Sequence, residues 1–147
     1  MHPWNCAFDN ARMGISAADD RLIGQLRVLL DRQPGLACAY LFGSMARGDA
    51  TVTSDIDLAV LFEQPTADTL QGPVARLRLD LEDALGRPVD LVSIENAPPD
   101  LIHRVLRDGI LLVDRNPNRR IAFEVRARND YFDLLPYLNE YRRAGFG

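Results

Sequence analysis

The chain has 147 residues, of which 47% are hydrophobic and 26% are charged. This length and composition are typical of one globular domain and exclude general disorder. All 17 basic residues are arginine, and with 21 acidic residues they give a net charge of −4. A sequence-independent nucleic-acid binder needs a basic surface, so no direct nucleic-acid binding is expected. The absence of lysine excludes a lysine Schiff base and a P-loop lysine.

Cysteine content and the N-terminal residues predict a reduced, cytoplasmic protein. Cys6 and Cys38 are too few for a disulfide scaffold or a cysteine-rich zinc site. No apolar run approaches the ~20 residues of a membrane span, so no membrane partner is expected. Residues 1–12 lack the regions of a signal peptide, and residues 1–15 show no periodicity, which predicts a flexible leader or an extension upstream of Met13.

Apolar periodicity and turn residues predict an alternation of helices and strands along the chain. The predicted strands are residues 36–42, 55–62, 88–94 and 110–113, and the predicted helices begin at Ser16, at Thr66 or Asp68, after Pro99 and at Asn118. Pro136 is expected to kink or break the last helix, which extends to Arg143. The predicted fold class is α/β (α+β): a small mixed sheet of about four strands with flanking helices and a helical C-terminal extension.

Two carboxylates at the start of the second predicted strand suggest a metal site. Asp55 and Asp57 lie two residues apart, so they point to one face of the strand at a Cα separation of about 6.8 Å. Carboxylates at that spacing repel unless a cation lies between them, and Mg²⁺ prefers oxygen ligands of this kind. Surface carboxylates on a solvated strand edge are the alternative.

A small polar turn precedes these carboxylates and is suited to phosphate. Gly43 follows a buried strand, and Ser44 opens a tight turn that is expected to become a short helix. Such a turn offers backbone N–H groups and a hydroxyl to an anion. Arg47 adds a forked cation for phosphate, although it is equally interpretable as a turn residue that pairs with Asp49.

A third carboxylate, Asp90, lies out of phase with its apolar neighbours in the third predicted strand. If that strand lies beside the strand of Asp57, then Asp55, Asp57 and Asp90 face one pocket and hold one or two Mg²⁺ ions. Two ions roughly 3.5–4 Å apart would clamp the attacking and leaving oxygens of a phosphoryl or nucleotidyl transfer. An exposed polar position is the alternative for Asp90.

Gly43-Ser44 followed by Asp55-Ile56-Asp57 resembles the signature of the DNA polymerase β-like nucleotidyltransferase superfamily. Residues 89–92, 96–109 and 127–141 are similar to MntA-type minimal nucleotidyltransferases, the antitoxins of HEPN/MNT toxin–antitoxin modules. The resemblance implies a nucleotidyltransferase fold, with a nucleotidyltransferase domain at 16–114 and a helical C-terminal extension at 115–147 that packs on the domain or on a partner.

The resemblance also implies an activity and a role for each site residue. The protein would be a Mg²⁺-dependent protein adenylyltransferase that moves AMP from ATP to a tyrosine of a HEPN ribonuclease toxin, in a hetero-oligomer with it. Gly43 and Ser44 would hold the phosphates, Asp55 and Asp57 would bind Mg²⁺, and Asp90 would complete the metal site and act as the base. Many members carry a basic residue in the loop after the glycine, where residues 49–53 have none, which leaves Arg47 as the nearby cation.

Two other functions are compatible with these residues. One is a non-catalytic antitoxin that masks the toxin and has a vestigial metal site. The other is a small-molecule nucleotidyltransferase of the aminoglycoside-modifying kind, for which the chain is short.

Other residues are predicted to be structural or to contact a partner. His103 is interpreted as a surface or packing residue. The arginines at 119, 120, 126 and 128 are interpreted as a solvated helix face balanced by Glu124 and Asp130, with contact to RNA or a partner as the alternative. Tyrosines 131, 137 and 141 suit either a partner interface or packing against the sheet. The residues at helical spacing, Ile121, Val125 and Phe132, suit the core or a partner contact.

Overall fold

A computed structural model describes residues 17–47, 55–65 and 72–143. The helices are α1 (Ala17–Asp31), α2 (Ser44–Arg47), α3 (Pro73–Leu85), α4 (Pro99–Asp108) and α5 (Pro117–Arg143), and the strands are β1 (Leu36–Phe42), β2 (Ile56–Phe62), β3 (Val89–Ser93) and β4 (Ile110–Asp114). The predicted leader at 1–15 and the predicted start of the second helix at Thr66 or Asp68 lie outside the described residues. Within these ranges no helix combines the length and apolar character needed to span a membrane.

The four strands form one mixed sheet in the order β3-β2-β1-β4. β1 is antiparallel to both β2 and β4, whereas β2 and β3 are parallel. Parallel strands need a crossover connection, and α3, which lies between β2 and β3 in the chain, returns the chain to the end of the sheet where β2 begins. The predicted fold class of a small mixed sheet with flanking helices is confirmed.

Alternation along β2 directs its side chains into two separate helix layers. Ile56, Leu58 and Val60 are fully buried on the side that α1 and α3 cover. Ala59 and Leu61 are buried on the side of α4 and α5. Because strand residues two apart share a face, Asp57 lies on the α4/α5 side of the sheet. The face of the sheet that carries Asp57 is therefore the one between the sheet and these two helices.

Pro136 was predicted to kink or break the last helix, and α5 does not break there. The proline removes one backbone N–H from the helix, which leaves the carbonyl four residues earlier without its usual partner. Pro136 is exposed, so water can bond to that carbonyl and the helix continues to Arg143.

A buried polar network fastens α5 to the sheet. The Tyr40 hydroxyl donates to Glu124 Oε1 at 2.8 Å, and Arg120 pairs with the same carboxylate at 3.2 Å. The Arg120 Nε atom also lies 2.9 Å from Oδ1 of Asp114 at the end of β4. Arg120 and Glu124 are 5% and 0% exposed. The prediction of a solvated arginine face is therefore wrong at these two positions.

The residues predicted as an apolar helix face of α5 point outwards. Ile121, Val125 and Phe132 are 43%, 45% and 57% exposed, so they are not part of the core of this chain. Tyr131 is buried and stacks on His103 of α4, with ring centroids 3.9 Å apart. That stacking confirms His103 as a packing residue and joins α4 to α5. Tyr137 is exposed, and the side chain of Tyr141 lies outside the described ones.

Cys38 lies in the centre of β1 and is completely buried. Burial raises the pKa of its thiol from the ordinary 9.0 to about 12. Burial also raises the pKa of the nearby Tyr40 hydroxyl, with the Cys38 and Glu124 charges acting in the same direction. Both groups are therefore neutral in the folded protein at pH values where the unfolded chain ionises them.

We expect the free energy of unfolding to fall as the pH rises from about 9 to about 12. In that window the unfolded chain has lost the Cys38 proton and the folded chain retains it, which destabilises the folded state by about 1.4 kcal/mol per pH unit for one group. Urea unfolding at several pH values tests this, with Cys38→Ala as the comparison. An equal pH dependence in the wild type and Cys38→Ala would contradict the assignment.

Candidate active site

Gly43 brings the backbone against the carboxylate of Asp57. The register of β1 and β2 pairs Phe42 with Asp57, which places Gly43 at the end of the hairpin beside that side chain. Gly43 has a φ of +74°, and a Cβ atom built on it would lie 2.2 Å from Asp57 Oδ2. Glycine is therefore required here for two reasons, the left-handed backbone and the missing side chain.

Ser44 begins α2 directly after this glycine, which agrees with the short helix predicted from the sequence. Met45 and Ala46, the next two residues, are 1% and 4% exposed and hold the short helix against the sheet. Ser44 itself is half-buried and lines a cavity that it shares with residues of α4. The Arg47 side chain and residues 49–53 lie outside the described part of the structure.

Asp57 and Asp90 occupy directly paired positions of the parallel strands β2 and β3. Adjacent strands lie about 4.8 Å apart, and paired residues point to the same face. Asp90 is exposed and Asp57 is half-buried. The predicted role of Asp90 required its strand to lie beside the strand of Asp57, and the structure has this arrangement.

Asp55 is exposed and precedes the first residue of β2. The Ile56 N–H donates to the Pro88 carbonyl at 3.2 Å, so the two strands start side by side. Among the described residues, no group of three or more acidic, histidine or cysteine side chains is positioned to hold a metal ion. The three-carboxylate metal site stays a prediction, with Asp57 and Asp90 as the pair that the sheet brings together.

A cavity of about 360 Å³ lies between this end of the sheet and α4. Its lining consists of Phe42, Gly43, Ser44, Asp57, Leu101, Arg104 and Asp108. The sequence predictions did not include the three residues from α4. Their spacing of three and four residues indicates that they share one face of α4. The sequence does not show which surface of the sheet that face covers, so this spacing alone could not assign them to the site. The cavity size is within the range of small-molecule sites.

Comparison with known proteins identifies the family. A family model described as "Polymerase beta, Nucleotidyltransferase" matches residues 25–118, which include Gly43, Ser44, Asp57 and Asp90. The chain belongs to this family. Its mixed sheet with flanking helices is the nucleotidyltransferase fold, and α5 forms its helical C-terminal region.

A curated relative extends the match to a named activity. The chain is 41% identical over 86 residues to protein adenylyltransferase MntA of Shewanella oneidensis. The aligned segment covers 57% of this chain and 58% of that relative, so the chain spans little more than half the length of the relative it matches.

Solved structures resemble nearly the whole chain. A structure of the tri-AMPylated Shewanella oneidensis HEPN toxin in complex with MNT antitoxin matches with a TM-score of 0.68 and 26% identity, covering 88% of this chain and 99% of the matched one. A toxin–antitoxin structure with AMP-PNP matches with a TM-score of 0.61 and 29% identity, covering 86% and 93%. The nucleotidyltransferase resemblance of the sequence is therefore confirmed.

Proposed function

We propose that this nucleotidyltransferase is an antitoxin that transfers AMP from ATP to a tyrosine hydroxyl of a HEPN-type toxin and thereby neutralises it. The observation that carries the proposal is the pairing of Asp57 with Asp90 beside the Gly43-Ser44 turn. Support comes from the MntA relative and from the MNT antitoxin structures that match this chain. The cytoplasmic location expected from the sequence stays a prediction.

The residues of the site fit a divalent cation. Asp57 and Asp90 offer hard oxygen ligands from paired positions of β2 and β3, and Asp55 lies two residues before Asp57, directly ahead of β2. These are the donors that Mg²⁺ prefers, with phosphate oxygens completing its shell. Bound Mg²⁺ would supply positive charge that neutralises the nucleotide phosphates.

The chain's own residues bind and orient the reactants. The backbone N–H groups and hydroxyl at Gly43-Ser44 bind the phosphates, and the missing Cβ of Gly43 leaves Asp57 room beside them. Asp90 is exposed and receives the proton of the incoming tyrosine hydroxyl. The tyrosine oxygen then bonds to the α-phosphorus of ATP, and the bond from that phosphorus to the β-phosphate oxygen breaks to release pyrophosphate.

We expect Asp55→Asn combined with Asp57→Asn to abolish Mg²⁺-dependent AMP transfer while the protein stays folded. Incubation with a HEPN-type protein and ATP, followed by mass spectrometry of that protein, measures the AMP groups added. Asp80→Asn combined with Asp83→Asn is the matched control, since both residues are exposed on α3 at the opposite side of the sheet. Transfer by the Asp55/Asp57 variant at the wild-type rate would contradict the proposed site.

The outward face of α5 favours a second candidate, a binding antitoxin that masks the toxin without chemistry. Ile121, Val125 and Phe132 form an exposed apolar face that the described part of this chain leaves uncovered. Under this alternative, the Asp55/Asp57 variant would neutralise the toxin as well as the wild type does. Toxin activity measured beside AMP transfer therefore separates the two functions.

A further inference from the structure

Arg104 of α4 lines the cavity of about 360 Å³ between the sheet and that helix. It lines that cavity together with Gly43, Ser44 and Asp57, and its side chain is exposed. Leu101 and Asp108, which lie three residues before and four residues after Arg104, line the same cavity. Residues at this spacing share one face of a helix, so all three belong to the face of α4 that borders the cavity. The cavity thus holds one arginine among its described lining residues.

The charges around this arginine leave it available to a ligand. Asp108 accepts hydrogen bonds from Arg107 on both oxygens, at 3.0 Å and 2.8 Å. Within the described ranges, no carboxylate lies within 4.0 Å of the Arg104 guanidinium as an ion-pair partner. An exposed arginine that lines a cavity is suited to an anion that enters from solvent.

The anion that the site would receive is a polyphosphate. This inference rests on the proposed function, under which the cavity holds the triphosphate of ATP. The chain has no lysine to neutralise the charge of that triphosphate. Guanidinium groups bind phosphate through two parallel N–H donors. The lining includes Gly43 and Ser44 of the phosphate turn, whereas the exposed Asp90 on β3 is not among its residues. Arg104 thus shares the cavity with the proposed phosphate site and lies away from Asp90, the proposed acceptor of the proton from the incoming hydroxyl.

We propose that Arg104 binds the β- or γ-phosphate of the nucleotide, the part that departs as pyrophosphate. The bond from the α-phosphorus to the bridging oxygen breaks during transfer, and its electron pair leaves with the pyrophosphate. A guanidinium on those phosphates stabilises the charge that develops there. Arg104 is therefore a substrate-binding residue that distinguishes ATP from AMP.

The test compares the affinities for ATP and AMP of the purified protein in the presence of Mg²⁺, by calorimetry for ATP and by competition for AMP. We expect Arg104→Ala to weaken ATP binding by about ten- to hundredfold, the effect of losing a charged hydrogen-bonded contact, and to leave AMP binding unchanged. Arg104→Lys should restore part of the loss, because lysine supplies the charge without the fork. Arg78→Ala, on the exposed side of α3, is the control.

The outcomes separate this inference from the proposed function. Unchanged ATP affinity in Arg104→Ala, or an equal loss for ATP and AMP, overturns the role of Arg104 while the adenylyltransferase proposal stands. A wild type that binds ATP without modifying a HEPN-type protein overturns transfer alone, since the Arg104 test measures binding. A wild type that binds no ATP overturns both. Thermal unfolding of each variant verifies that it is folded.

Discussion

Gly43→Ala is expected to lower AMP transfer at least a hundredfold, the cost of misplacing reacting groups by about 1 Å. The new Cβ would lie 2.2 Å from Asp57 Oδ2 and 3.0 Å from its Cγ, so the carboxylate or the turn has to move. Either movement separates the Gly43-Ser44 turn, the proposed phosphate site, from the proposed metal ligand Asp57. The rate of AMP addition to a HEPN-type protein measures the effect.

Gly35→Ala is the matched control for this experiment. Gly35 has the same φ of +74°, but a Cβ atom there would meet nothing within 4 Å. Both variants carry the cost of an alanine in the left-handed region, about 1–2 kcal/mol, whereas only Gly43→Ala disturbs Asp57. Equal transfer rates in the two variants would show that the close contact with Asp57 has no functional role.

Glu124→Ala is expected to lower the free energy of unfolding by about 3–5 kcal/mol, because it leaves Arg120 buried with one of its two carboxylate partners and Tyr40 without its acceptor. Urea unfolding at neutral pH measures this loss. Glu124→Gln keeps an acceptor for Tyr40 and removes the charge, so its loss should be intermediate. Tyr40→Phe removes one hydrogen bond and should cost about 1 kcal/mol.

Asp130→Ala serves as the control on the same helix, since Asp130 is exposed. Surface substitutions of this kind usually change stability by less than about 0.5 kcal/mol. If Glu124→Ala and Asp130→Ala lowered the free energy of unfolding equally, the buried network would not be what holds α5 to the sheet.

The sequence predicted the parts of the site that are close together in the chain. Gly43-Ser44 and Asp57 belong to one hairpin, and alternation along β2 was enough to assign Asp57 to the face opposite Ile56. The predicted position of Asp90 beside Asp57 depended on strand order and agrees with the parallel register. Local periodicity therefore predicts which residues face a pocket, and the sheet determines which of them meet.

The orientation of α5 could not be predicted from the sequence in the same way. Periodicity assigns the inner face of a helix to its apolar residues, whereas α5 turns Arg120 and Glu124 inwards and Val125 outwards. The partners that make this favourable are Tyr40 and Asp114, which come from β1 and β4. A buried ion pair is stable only when such partners surround it, and their convergence is a property of the folded chain.

The parallel pairing of β2 and β3 implies an order of assembly for the site. The Gly43–Asp57 contact forms across a hairpin and needs only a short loop to close. Asp90 joins when the chain has returned through α3, so its placement requires a longer closure. We therefore expect weakening of α3 to displace Asp90, the proposed proton acceptor, before it displaces the Gly43-Ser44 turn, the proposed phosphate site. Loss of transfer with retained nucleotide binding would then be an early sign of partial unfolding.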